Sequence, residues 1–514
     1  MRAILLLTTA FCFVLSATAY AQMGGGMGGM GGGGMGGPDG DGRAGPPSGS
    51  HQNTPEARPA AAIVPVSMRL RGIVTLASAS KALKGGRVAS DQADVSGIYA
   101  TRGSQLTIDG VDIATTGAAA LVSDSHDYGI NSALLIDSGS KVLMTGGRIT
   151  STGQGANGAY VGGEGAYLGL TNTSLATSGT GAIGLEVRAG AALEAHAISV
   201  STQSDHAPAL SAAAQARPVR LDGGSFTTQG PSSPVFALFT DLEATAVTAS
   251  AGRSDGLVVT GGHRVVFTGS TLSGDNYGVM INDTPVVAAG SMSGPMSDGP
   301  AGGPPGGRGG PPGGGRPGWA GEGGADRPKG AGQRNNVRPV TEIMAPPPDH
   351  GPDGPGLTWT GGKLSSYRAV FYVTNIRTHI RLDSVDISSA TGIVLKAVAD
   401  QWGELGRNGG DAVLDARHQT LTGDFVTDAI SHIAVNLSEG SHLTGKATHN
   451  TDVMLDTKST WTLTDDSSVG KLTADPSQID SQGHTLSYDT YRNPTLNGQT
   501  IPLPGGGQLV PSGL

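Results

Sequence analysis

Cysteine is almost missing from this 514-residue chain: the single one, Cys12, lies in an apolar N-terminal stretch. The rest of the chain therefore offers no disulfide, no thiolate nucleophile and no Cys-ligated zinc. A small exported domain often needs disulfides, whereas a long chain with a continuous core does not. Aromatic residues make up only 4% and charged residues only 15%. The net charge is −9 and no basic cluster occurs, which argues against a nucleic-acid partner. After the N-terminal stretch there is no long apolar run, so the mature chain is expected to be soluble and without a transmembrane segment.

Residues 1–21 read as a secretory signal. Arg2 supplies a positive charge, residues 3–15 are mostly apolar, and Ala19-Tyr20-Ala21 places small residues where a signal peptidase needs them, so cleavage is expected after Ala21. The apolar stretch is shorter than the roughly 20 residues of a membrane span. Lipidation at Cys12 is disfavoured because Phe11 stands where a small residue would be expected. The protein is expected to be secreted or at the cell surface, with the periplasm as the alternative.

What the chain has in excess is glycine, 85 residues against about 7% in ordinary globular chains. Part of it lies in low-complexity segments. Residues 22–62 form a Gly/Met/Pro-rich arm, and residues 289–358 form a Gly/Pro-rich loop. Neither buries enough apolar surface to offset chain entropy, so both are expected to be disordered. Neither keeps a Gly-x-y register, which excludes collagen.

The remainder repeats. Segments 104–117, 140–153, 166–179, 218–230, 263–276 and 379–392 share one pattern: apolar–polar alternation, a polar or Gly corner, one apolar residue, then a Thr/Ser-rich exit usually closed by Gly. The apolar residue after the corner falls at Ile113, Ile149, Leu175, Val200, Phe226, Val247 and Leu272, at intervals of 36, 26, 25, 26, 21 and 25. The first interval leaves room for an outward loop. Short strands of period two recurring at these intervals do not fit helical solenoids, whose repeats are longer and of 3.6 periodicity. They predict an all-β, single-stranded right-handed parallel β-helix. Roughly 15 coils, stacked at about 4.8 Å, would make a rod on the order of 70 Å. The expected organisation is signal 1–21, arm 22–62, first β-helix part 63–288, loop 289–358, second part 359–490 and C-terminal cap or tail 491–514. The loop either leaves one corner of a continuous stack and returns or links two separate β-helices.

These coils resemble the right-handed β-helix (pectate-lyase-like) superfamily. The C-terminal part is similar to pertactin-type autotransporter passenger domains, on residues 435–445 and on residues 459–472, where Trp461, a polar turn and Leu472 recur in order. Only 42 residues follow Leu472, too few for the C-terminal membrane barrel of such proteins. The resemblance implies adhesion or surface presentation rather than chemistry.

The same superfamily contains polysaccharide lyases and hydrolases. One hydrolase pattern is echoed by Asn450-Thr451-Asp452, Asp465-Asp466 and Gly483-His484, which makes Asp452, Asp465, Asp466 and His484 the candidate catalytic residues by resemblance. Thr485 stands where the pattern has a second glycine, its Arg-Ile-Lys element is missing, and the first two motifs are half a coil apart. Solvated turn residues explain the four better. Asp383 and Asp386 could share a strand face, but scattered acids make no Ca²⁺ site. The Gly409-Gly410-Asp411 fragment falls short of a Ca²⁺ roll, and the 12 His have no zinc spacing. Met23, Met27, Met30 and Met35 could hold Cu(I), though a spacer explains them more simply. No metal or cofactor is implied. Tyr99, Tyr128, Tyr160, Tyr277, Tyr367, Phe371 and Tyr372 either stack on sugar rings from an exposed sheet or plug the core.

The expected function is a non-enzymatic, adhesin-like or cell-surface binding role, with a carbohydrate or other surface ligand as partner. A polysaccharide-active enzyme and a structural matrix component are the alternatives, so enzymatic activity stays open.

Overall fold

The computed structural model describes residues 66–283 and 354–512. All of them belong to the unit Ile63–Leu514; the other unit, Met1–Ala62, lies outside the described residues, as do residues 284–353. The signal segment, the Gly/Met arm and most of the Gly/Pro-rich loop are therefore not among them.

The described residues form an all-β parallel β-helix. Period-two alternation places every second side chain inside, and each coil adds a strand to each sheet. One sheet has 12 strands. Its first inward ladder runs from Val74 through Ile98, Leu134, Ala159, Leu185, Leu210 and Phe236, and continues to Phe425. The second sheet has 20 strands because it contains two rows, such as Gln105–Asp109 and Asp112–Thr115, with a corner between them. In the core, Phe226, Phe236, Phe267 and Trp359 form a run of ring contacts, ending in a 4.2 Å stacked pair. Much of the scarce aromatic volume is thus concentrated in the middle coils.

The corner between the two rows is made the same way in coil after coil. Its first residue takes a left-handed backbone at Gly85, Gly110, Gly146, Asn172, Ala197, Gly223, Ala246, Gly269, Gly361, Ser384, His418 and Glu439. Glycine adopts this conformation without steric cost, and alanine does not.

The Thr/Ser exit has a separate logic. The hydroxyls of Thr177, Thr202 and Thr228 donate to the carbonyls of Ala182, Ala207 and Ser233, at 2.7, 2.5 and 2.6 Å. Each buried hydroxyl ties the end of one strand to the approach of the next. The closing glycines stack so tightly that a Cβ on Gly153 would overlap the Gly117 carbonyl, and one on Gly179 the Gly153 carbonyl.

Four sequence expectations need correction. The residue that continues the Phe226 ladder is Ala249, which pairs with Phe226 and Leu272; Val247 is buried just before it, at the corner. Asp383 and Asp386 are on different strands, because Ser384 turns the chain between them. The second stretch begins inside the segment assigned to the loop, with strand Gly356–Ser366. That strand pairs directly with Arg264–Gly274, and Val279–Asn282 pairs with the Ala369–Thr374 strand, so both stretches form one continuous stack. Finally, the expected tail carries a strand of the fold: Gln508–Ser512 pairs in parallel with Thr485–Asp489, and Ile501–Pro502 closes over it antiparallel.

Two coils are long, and both insertions lie over the outer side of the 12-stranded sheet. The first, between the paired residues Gln105 and Lys141, holds helix α1, Val122–Tyr128. Beside it Tyr99, Leu135 and Tyr160 form a buried cluster. The second, between the paired residues Arg377 and Asp411, sends residues 398–410 over Tyr372, whose hydroxyl donates to Asp400. Burial on both sides turns the strands into near-continuous apolar runs, as parallel sheets require.

Two stability outcomes follow from the backbone. Ala197 and Ala246 have φ of 51° and 52°, so Ala197→Gly and Ala246→Gly should each stabilise by about 0.5–1 kcal/mol in urea unfolding; unchanged midpoints would show the corners are unstrained. Gly179→Ala should destabilise by about 3 kcal/mol, because backbone cannot yield as a flexible side chain can.

Candidate functional site

The four acid and imidazole candidates from the sequence fall into two groups. Asp465, Asp466 and His484 lie together at the surface. Asp465 pairs with Lys446 at 3.1 Å, and this bond, with the backbone N–H of Asp466, holds its carboxyl below the usual range. Asp466 accepts from the Thr485 amide at 2.8 Å and stands 3.8 Å from His484 Nδ1. Asp452 belongs elsewhere. Its Oδ2 accepts from Arg492 Nη2 at 2.5 Å and is 3.1 Å from His432 Nε2, and its Oδ1 accepts from the Lys471 amide at 2.8 Å. Burial pushes the Asp452 carboxyl up, but His432 and Arg492 outweigh it and hold it low. A carboxylate committed to two cations is a poor proton donor at neutral pH. Among the described contacts none joins the two groups.

The Asp452 group is part of a longer ladder. Arg377 Nε donates to Asp411 at 2.7 Å; Asp411 is 3.4 Å from His432 Nδ1; His432 reaches Asp452, and Asp452 reaches Arg492. Five residues from successive coils alternate in sign. Burial pulls the His432 pKa down, but the two flanking carboxylates prevail and lift it to about 9. The sequence showed Asp411 and Asp452 only as fragments of other motifs, since their partner is a histidine that becomes adjacent by stacking.

A second outward row has more of the character of a binding surface. Leu143, Gly169, Glu194, Arg220 and Glu243 align across five coils. They line a groove of about 520 Å³ together with Tyr167 and His196. Gly169 leaves the floor open, and Leu143 is 51% exposed. The Tyr167 hydroxyl donates to Glu194 at 2.9 Å; partial burial and this carboxylate push its pKa up to about 12, so it stays protonated. Arg220 is shared between Glu194 and Glu243, and Arg264 donates to Glu243 at 2.7 Å. This row was legible only as exposed positions of separate repeats; aligning the repeats by their corners brings it out.

The aromatic residues divide between the two expected roles. Phe371 is inside the core, and Tyr99, Tyr160 and Tyr372 are outward on the 12-stranded sheet yet buried. Tyr277 stacks on Tyr372 at 4.3 Å. Tyr128 and Tyr367 are exposed. In the same outward row Glu186 is buried, with Oε1 near Arg188 at 3.3 Å and Oε2 without a partner. Burial raises its pKa against the opposing pull of Arg188. Among the described residues no group of three or more His, Cys, Asp or Glu could hold a metal ion, and no helix is long and apolar enough to cross a membrane. The Met residues of the arm lie outside the described residues.

Compared with family models, with curated proteins and with solved structures, the chain matches none.

The ladder gives a pH dependence with a definite sign. His432 has a folded pKa raised to about 9 from the unfolded value near 6.5. Its contribution is fully present below pH ~6.5 and fades as the pH rises through about 9. It amounts to about 3 kcal/mol as an upper figure. The urea midpoint should fall between pH 7 and 9.5, and His432→Gln should flatten that fall. A His432 ring titrating near 6.5 by NMR would overturn the assignment.

Proposed function

We propose that this protein is exported and acts as a non-enzymatic, adhesin-like β-helix that binds a carbohydrate or other surface ligand along its side. The observation that carries the reading is the groove at Leu143, Tyr167, Glu194 and Arg220. Sugar rings are held by C–H groups against apolar and aromatic surface and by hydroxyls on carboxylates and guanidinium groups. The groove offers both kinds of contact on strands fixed by the stack, so little ordering entropy is lost on binding.

The finer likeness to the pectate-lyase-like superfamily and to pertactin-type passengers rests on residues 435–445 and 459–472. The burial of Trp461, whose Nε1 donates to the Gly445 carbonyl at 2.9 Å, is consistent with a closing Trp strand. A secreted or cell-surface location, with the periplasm as alternative, rests on residues 1–21. Against the enzymatic alternative stands the engagement of Asp452 by Arg492 and His432.

A glycan array probed with the full chain tests the reading. At least one polymeric glycan should bind, and Tyr167→Ala should weaken it tenfold or more at unchanged melting temperature. Undiminished binding by that variant, or no bound glycan at all, would remove the groove as the site. Release of reducing ends or unsaturated uronates from a pectic polymer would instead favour the enzyme.

A further inference from the structure

A second cavity, of about 250 Å³, opens at a corner of the stack on a different part of the surface. The last inward residues of two strands of the 12-stranded sheet, Val259 and Ile281, meet Val265 and Leu357 of the neighbouring sheet there. These four make an apolar wall. Gly261 and Gly262 keep one side free of side chains, and Arg377 and His263 stand at the polar side.

Arg377 is the informative residue. Its Nε is committed to Asp411 at 2.7 Å, whereas its Nη2 is buried and has no hydrogen-bond partner. A buried guanidinium N–H left unsatisfied costs more than a hydrogen bond to it contributes, so an acceptor is expected beside it. The charge balance agrees. Arg377, His432 and Arg492 alternate with Asp411 and Asp452, leaving one positive charge in excess with Arg377 at the end of the series. The acids acting on the other polar residue, His263, are Asp241 and Asp283; Asp241 already accepts from the Arg264 amide at 2.9 Å. His379, also on the rim, is engaged by Asp415 and Arg381.

We propose that this cavity binds a small monocarboxylate with an apolar body, its hydrocarbon against Val259, Val265, Ile281 and Leu357 and its carboxylate on Arg377 Nη2. Guanidinium–carboxylate bonds are charge-assisted and stronger than neutral ones, and a mostly apolar pocket with one placed polar group is the usual form of a small-ligand site. The site is independent of the groove around Tyr167, and neither depends on the other.

Benzoate is the probe, titrated into the full chain by calorimetry, with benzyl alcohol and benzylamine as controls. Benzoate should bind at millimolar concentration or below, and both controls at least tenfold more weakly. Arg377→Gln should weaken benzoate at least tenfold. Because that change also loosens the Asp411 ladder, Gly262→Leu is the second variant. A Cβ there would meet nothing nearer than Pro355 Cβ at 4.0 Å, so the fold should persist while the side chain fills the cavity and abolishes binding. Failure of benzoate to bind the folded wild type, or equal binding by either variant, would overturn the proposal.

Discussion

The structure depends on one repeated constraint: each coil must turn sharply enough for its backbone to lie directly on the coil below. Parallel strands leave no choice of spacing, because their hydrogen bonds set it. At the corner between the two strand rows the chain meets this demand with a left-handed residue, twelve times from Gly85 to Glu439. Half of those positions are glycine. Asn172, Ala197, Ala246, Ser384, His418 and Glu439 accept the same geometry against their own preference, which shows that stacking outweighs local backbone cost at these sites. The glycines at 153 and 179 answer a different need, because carbonyls of the adjacent coil occupy the space a Cβ would take.

Once the coils are in register, side chains far apart in sequence become neighbours about one coil apart, and every row of side chains becomes a ladder. Inside, the ladders are aliphatic, joined in the middle coils by the rings of Phe226, Phe236, Phe267 and Trp359. Outside, their character varies with the face. The 12-stranded sheet is covered by α1 and by residues 398–410, so its outward row is largely buried and includes Tyr99, Tyr160 and Glu186. The row from Leu143 to Glu243 remains open and combines apolar surface with paired charges. Farther along, the row from Arg377 to Arg492 is a sequence of ion pairs that couples successive coils.

The two candidate binding sites arise from gaps in such ladders. At Gly169 the missing side chain opens a groove between Leu143 and Glu194. At Gly261 and Gly262 a corner without side chains leaves an apolar cavity beside Arg377. In each case a small residue exposes neighbours that a full ladder would have covered, and a charged group of the adjoining ladder gives the opening its chemistry.

The sequence by itself determined the β-helix, because period-two alternation and a short, regular repeat are local properties of the chain. It also marked most corners, since Gly, Asn, Thr and Ser occur where turning and hydroxyl bonding require them. It placed one ladder residue at Val247 rather than Ala249, because both are small and only hydrogen-bond register separates them. It left open whether two β-helices or one were present. Pairing of Arg264–Gly274 with Gly356–Ser366 decided that, and pairing between strands so distant in sequence is invisible to local pattern. The acids were legible as residue types but not as partners: Asp452 near Asp465 in sequence belongs with His432 and Arg492 in space. Which tyrosines are covered, which arginine keeps an unsatisfied N–H and where a glycine opens a groove were decided only by the stack, because each depends on what the coils above and below provide.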